Sequence, residues 1–201
     1  MFDNRLKLRT GFRQKGFRNR PVVSASVSTP SLIDSYSESN ADAVSGTDSD
    51  RLHAASGTSS IGESFTGVNK RITSCKFFLG RGANAITGKV RARLYWGIDE
   101  GDGMYPDGAP IAISDEVDVS VLNTTRALIE FFFRGEQSYL MENGVSYVLQ
   151  VAYDSGDATH YVTVGIDGTS PTHSGQNLSY FDGDAFMPDS SIATCFYVYG
   201  V

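Results

Sequence analysis

From about residue 61 onward the chain runs in short stretches that alternate apolar and polar side chains. Thr73, Cys75, Phe77 and Leu79 alternate with Ser74, Lys76 and Phe78; Val90, Ala92, Leu94 and Trp96 alternate with Arg91, Arg93 and Tyr95. Period two is the mark of a half-buried β-strand, whose successive side chains point to opposite faces. Val117 to Val121 repeats the pattern, and Leu32 to Ser37 reads as an earlier, first strand. Ala127 to Phe133 has the apolar density of a buried helix, but its length, its three Phe and the Gly135 beyond it favour a strand. Val145 to Tyr153 is apolar on both faces, as in a central strand packed on each side. Tyr161 to Ile166 and Ala193 to Tyr199 complete the set, while Gly97 to Gly108, built of Gly, Asp and Pro, reads as a loop.

The 21 glycines supply turns between these runs. About nine to eleven strands, no amphipathic helix and no repeat of fixed period predict an all-β fold. The expected architecture is an antiparallel, jelly-roll-like β-sandwich over residues 31–201. A hydrophobic content of 40% allows a packed core, and no apolar stretch reaches the length of a membrane helix. The first residues have positive charge but no apolar segment behind it, so no secretory signal is expected. Cys75 and Cys195, each in a strand-like run, are expected to be unbridged buried thiols.

Charge changes the picture at the N-terminus. The net charge is −6, yet residues 1–20 carry Arg5, Lys7, Arg9, Arg13, Lys15, Arg18 and Arg20 against Asp3 alone, which leaves −12 on the rest. Residues 1–30 therefore read as an extended basic, Ser-rich arm ahead of an acidic body. Phe12 and Phe17 are interleaved with the arm's charges, which a solvated tail does not need and a docking segment does. Residues 21–60 hold twelve Ser in forty, the composition of an extended linker. Nucleic acid is the weaker partner for the arm, because the body is acidic and no nucleic-acid-binding signature accompanies it. Lys89, Arg91 and Arg93 share one strand face, which meets either an acidic neighbour or Glu130 or Asp118 across the sheet.

Catalytic chemistry has few candidates. His53, His160 and His173 fall in no hydrolase, metalloprotease or nucleotide-binding motif and read as surface or turn residues. Gly-Asp loops at residues 99–103 and 182–184 are ordinary turns; they also have the oxygen donors for a structural Ca²⁺, without EF-hand spacing. No catalytic residue, metal site or cofactor is expected. Carbohydrate binding needs exposed aromatic faces, for which Trp96, Tyr105, Tyr180 and Phe181 are the candidates. Tyr105 is the better of these, since Trp96 shares its face with Val90, Ala92 and Leu94 and reads as core.

Several segments carry a resemblance. Asp34–Ser37, Ile61–Thr66, Ile72–Phe77, Thr87–Val90, Pro106–Ala112, Gly144–Tyr147 and Phe196–Gly200 are similar to the corresponding parts of β-sandwich domains in tailed-phage and prophage virion proteins. The resemblance covers about residues 31–200 and leaves the basic arm outside. It implies a non-enzymatic virion component: a capsid decoration protein, a tail or collar accessory, or a carbohydrate-binding module of a fibre used in host adsorption. The implied partners are capsid, portal or tail subunits and further copies of the chain, trimers suiting projecting jelly rolls by analogy. The implied location is the virion, assembled in the host cytoplasm.

Overall fold

A computed structural model describes residues 28–42, 51–55, 58–173, 178–181 and 184–201. Arg5, Lys7, Arg9, Phe12, Arg13, Lys15, Phe17, Arg18 and Arg20 lie outside the described residues. The strands are β1 (Ser31–Tyr36), β2 (Arg51–Leu52), β3 (Ser60–Thr66), β4 (Ile72–Arg81), β5 (Lys89–Asp99), β6 (Met104–Ile113), β7 (Val117–Asp118), β8 (Ala127–Phe132), β9 (Ser146–Tyr153), β10 (Val162–Val164), β11 (Ile166–Asp167), β12 (Leu178–Phe181), β13 (Phe186–Asp189), β14 (Ala193–Thr194) and β15 (Phe196–Gly200). Among the described residues the helices are single 3₁₀ turns, and no helix is long and apolar enough to cross a membrane.

Two antiparallel sheets hold the body. One runs β1-β15-β4-β8; the other contains β3-β9-β5-β6. The first and last described strands thus lie side by side in one sheet, and chain neighbours such as β3 and β4 lie in different sheets. That order is the jelly roll, eight strands wound through two sheets. The short strands are additions to it: β10 and β2 prolong the first sheet beyond the end of β15, and the β12–β13 hairpin extends the second beyond β3.

The inner faces meet in one core. Cys75, Phe77 and Leu79 of β4, Phe131 of β8 and Phe196 and Val198 of β15 face Ile61 and Phe65 of β3, Val90, Ala92 and Leu94 of β5, and Tyr147, Leu149 and Val151 of β9. The second sheet also curls, carrying β13 round to pack near β6 and placing the Phe186 ring 5.9 Å from that of Tyr95. This covers the other side of the sheet. Val148, Gln150 and Ala152 of β9 are buried along with their core-facing neighbours, so the central strand is packed on both faces as its sequence predicts.

Three stretches differ from the sequence reading. Gly97–Gly108 is mostly hairpin: Gly97 pairs with Pro106, Ile98 with Tyr105 and Asp99 with Met104, which leaves a turn of four residues. Backbone pairing needs no apolar side chains, and β6 is a sheet edge, where a proline costs no ladder bond. The Val117–Val121 alternation yields only the two-residue β7, because the Asp118 carboxylate captures the Ser120 N–H at 2.9 Å and starts a 3₁₀ turn. The Ser-rich stretch reaches the core as well: Tyr36 and Leu52 are buried.

Candidate functional site

Alternation along β5 sends Val90, Ala92 and Leu94 into the core and Lys89, Arg91 and Arg93 to the opposite face. Each cation meets a carboxylate of the same chain. Lys89 Nζ is 3.8 Å from Asp118, Arg91 is 2.6 Å from Glu116, and Arg93 is 2.6 Å from Asp154. The balancing reading of this face holds, with Asp118 as one partner. Glu130 is not another, since it lies in the first sheet opposite Lys76. Tyr95, on the same side of β5, is 4% exposed, and burial raises its phenol above the ordinary value.

The aromatic candidates do not assemble into a platform. Trp96 faces the core, its ring stacked 5.2 Å from Tyr147 and edge-on to Tyr139 at 5.8 Å. Tyr105 is half-buried and its hydroxyl donates to both oxygens of Asp102, at 3.1 and 3.2 Å. Tyr180 packs against the core, and Phe181 lies 5.1 Å from Phe186 within the β12–β13 hairpin. Among the described residues no group of three or more His, Cys, Asp or Glu side chains is placed to hold a metal ion.

The histidines divide. His160 sits on an exposed turn, Nδ1 3.0 Å from the Asp157 carboxylate, which its bonds from Thr159 hold below the usual range. His53 and His173 correct the surface reading: they are 4% and 7% exposed. A His in a Ser- or Pro-bounded stretch looks solvated in sequence; long-range packing decides otherwise.

His173 belongs to a polar cluster at the β1 side of the sandwich. Its Nε2 is 3.3 Å from Asp34 of β1 and its Nδ1 4.0 Å from Glu63 of β3. Glu63 shares the core-facing side of β3 with Ile61 and Phe65 and is fully buried; it accepts the Thr194 N–H at 2.8 Å and the Ser64 N–H at 3.3 Å. Edge contacts from Tyr36 and Phe196 close the cage around the imidazole. Burial works against the imidazolium, but the Asp34 bond and the Glu63 charge outweigh it and raise the His173 pKa. Beside it Tyr36 donates to Asp167 at 2.5 Å, and Asp167 also accepts from Thr169 and Ser170. These groups fasten β1 and the segment after β11 to the body. Both thiols are free and buried; burial pushes Cys195 up to about 12.

The sequence reading missed the outer face of the first sheet. Residues paired across antiparallel strands share a face, which gives rows Leu32–Tyr199–Ser74–Phe132, Ser35–Tyr197–Lys76–Glu130 and Phe78–Leu128. Leu32 is 49% exposed, Phe132 41% and Leu128 37%. The Lys76 ammonium lies 5.2 Å over the Tyr199 ring, and the Arg134 guanidinium 5.2 Å over Phe132. A signal for this face exists in sequence: Phe78, Leu128, Phe132, Tyr197 and Tyr199 occupy the solvent positions of strands whose other positions are already apolar.

No protein-family model, curated protein or solved structure matches the chain.

Proposed function

We propose that this chain is a non-enzymatic structural subunit of a bacteriophage virion. It is an accessory protein decorating the head, or attached at the tail or collar, and the N-terminal arm anchors it while the jelly roll projects. One observation carries the reading: an acidic body exposes a face of Leu32, Leu128 and Phe132 backed by Phe78, Tyr197 and Tyr199. Large apolar residues gathered on one face of a soluble domain mark a surface that is covered in use. The cations of β5 and the buried Glu63–His173–Asp34 cluster are engaged within the fold, which supports a protein that works by contact. The jelly roll is shared by capsid and lectin domains, an analogy of fold that fits the assignment. The exposed residues 28–32 lead into an edge strand, so the arm joins the body at its rim.

Co-sedimentation with particles lacking this protein tests the reading. The full chain is expected to pellet with particles, and a chain lacking residues 1–20 to stay in the supernatant. Equal pelleting of both would move the anchor to the body, and no pelleting of either would remove the virion assignment. Retention of the full chain on a glycan surface, abolished by Tyr105→Ala, would establish the carbohydrate-binding reading instead.

A further inference from the structure

We infer that His173 is a pH-operated clasp on β1: protonated, its ring ties this edge strand across to β3 of the other sheet, and on losing the proton it lets β1 open from the body. The inference is independent of the virion reading and concerns the strand into which the N-terminal arm leads.

The argument begins with how lightly β1 is held. Its one strand neighbour is β15, and the register of that pairing shifts between Leu32 and Asp34. Of its six residues only Tyr36 is buried, and Leu32 stands largely in solvent. Asp34 and Tyr36 pair with Val198 and Phe196, so both sit on the core side of the strand. There each ends on the segment that follows β11. Asp34 meets His173 Nε2 at 3.3 Å; the Tyr36 hydroxyl donates to Asp167 at 2.5 Å and accepts the Thr172 N–H at 3.2 Å. An edge strand with so little apolar burial opens at a lower cost than the sheet it borders, so these polar bonds are a large part of what keeps it closed.

The ring's two nitrogens face two carboxylates, Nε2 toward Asp34 and Nδ1 toward Glu63. An imidazolium has an N–H for each. Neutral imidazole has one, and its other nitrogen turns a lone pair outward. Proton loss therefore sets one of the two acids against a lone pair, whichever tautomer forms. Glu63 cannot withdraw, because its side chain is fully buried and accepts the Thr194 and Ser64 N–H groups. Asp34 can, its side chain being 29% exposed on an edge strand. The separation falls on β1. Among the described residues, the other titratable groups on the elements packed round the ring are Tyr36, Asp167, Cys195, Tyr197 and Tyr199. Burial raises the Tyr36 phenol and the Cys195 thiol, which keeps both neutral, and Tyr197 and Tyr199 lie on the opposite face of β15. Histidine is the side chain that ordinarily changes charge near neutrality.

Hydrogen exchange of the full chain between about pH 6 and 8.5 tests this, read by mass spectrometry on peptides from β1 and β4 and corrected for the intrinsic pH dependence of amide exchange. In the wild type β1 is expected to open locally, with a larger opening constant than β4. That constant should rise by at least about tenfold across the window, the effect of one pKa unit on the clasp. His173→Gln should leave it independent of pH. So should Asp34→Asn, whose amide can donate to a neutral ring and which keeps the shape of the aspartate. Circular dichroism checks the fold of each variant, and the wild-type profile decides alone should His173→Gln fail to fold. A β1 opening constant that is flat with pH, one no larger than that of β4, or an undiminished slope in Asp34→Asn would overturn the clasp.

Discussion

His173 lies between two carboxylates, Asp34 at 3.3 Å and Glu63 at 4.0 Å, in a site walled by Tyr36 and Phe196. Its pKa is raised from the ordinary 6.5, so the folded state holds this proton more tightly than the unfolded chain does. The stabilisation is complete below about pH 6.5 and is lost as pH rises through the higher folded value. Thermal melts between about pH 6 and 9 should therefore show the wild type losing stability toward the alkaline side. His173→Gln should flatten that dependence while lowering the acid-side melting temperature. Identical slopes for the two proteins would show that His173 is neutral throughout. None of this was legible in sequence. The residue lies in a Pro- and Gly-bounded loop, and its partners are 139 and 110 positions away.

At the scale of elements, the strands were legible where alternation and burial coincide. β4, β5, β8 and β9 fall where period two, β-branched and aromatic residues and flanking glycines place them. β6 was not legible, because an edge strand that pairs through its backbone has no need of an apolar face. The β12–β13 hairpin was also hidden, its Gly-Asp composition reading as turn. The curl it completes depends on close backbone approach at β3. A Cβ at Gly62 would stand 2.1 Å from the Leu149 carbonyl oxygen and 2.6 Å from the Gln150 Cα, both main-chain atoms that move only with the strand. Gly62→Ala is expected to cost at least about 2 kcal/mol, comparable with other overpacked sites, and to lower the denaturation midpoint measurably. Gly101→Ala is the contrast: nothing lies within 4 Å, and only its positive φ of 98° is strained. A midpoint unchanged by Gly62→Ala would mean that β3 and β9 are not held in this register.

For the whole molecule, alternation predicted a sandwich but not which strands pair. The jelly roll follows from contacts such as β1 with β15, some 160 residues apart, whose only sequence trace is two compatible apolar faces. The same limit hid the candidate interface. Leu32, Phe78, Phe132, Tyr197 and Tyr199 come from four strands, and only the pairing register collects them. The charge asymmetry, in contrast, was legible from counting alone. It carries the proposed division of labour: a basic arm that anchors and an acidic jelly roll that projects.

Quantitative mass spectrometry of purified particles tests this account most directly, because a structural subunit is present in a copy number fixed by particle symmetry. The account predicts the same integer number of copies per particle in every preparation, retained through gradient purification. Absence from purified particles, or trace amounts that fall with each purification step, would contradict it.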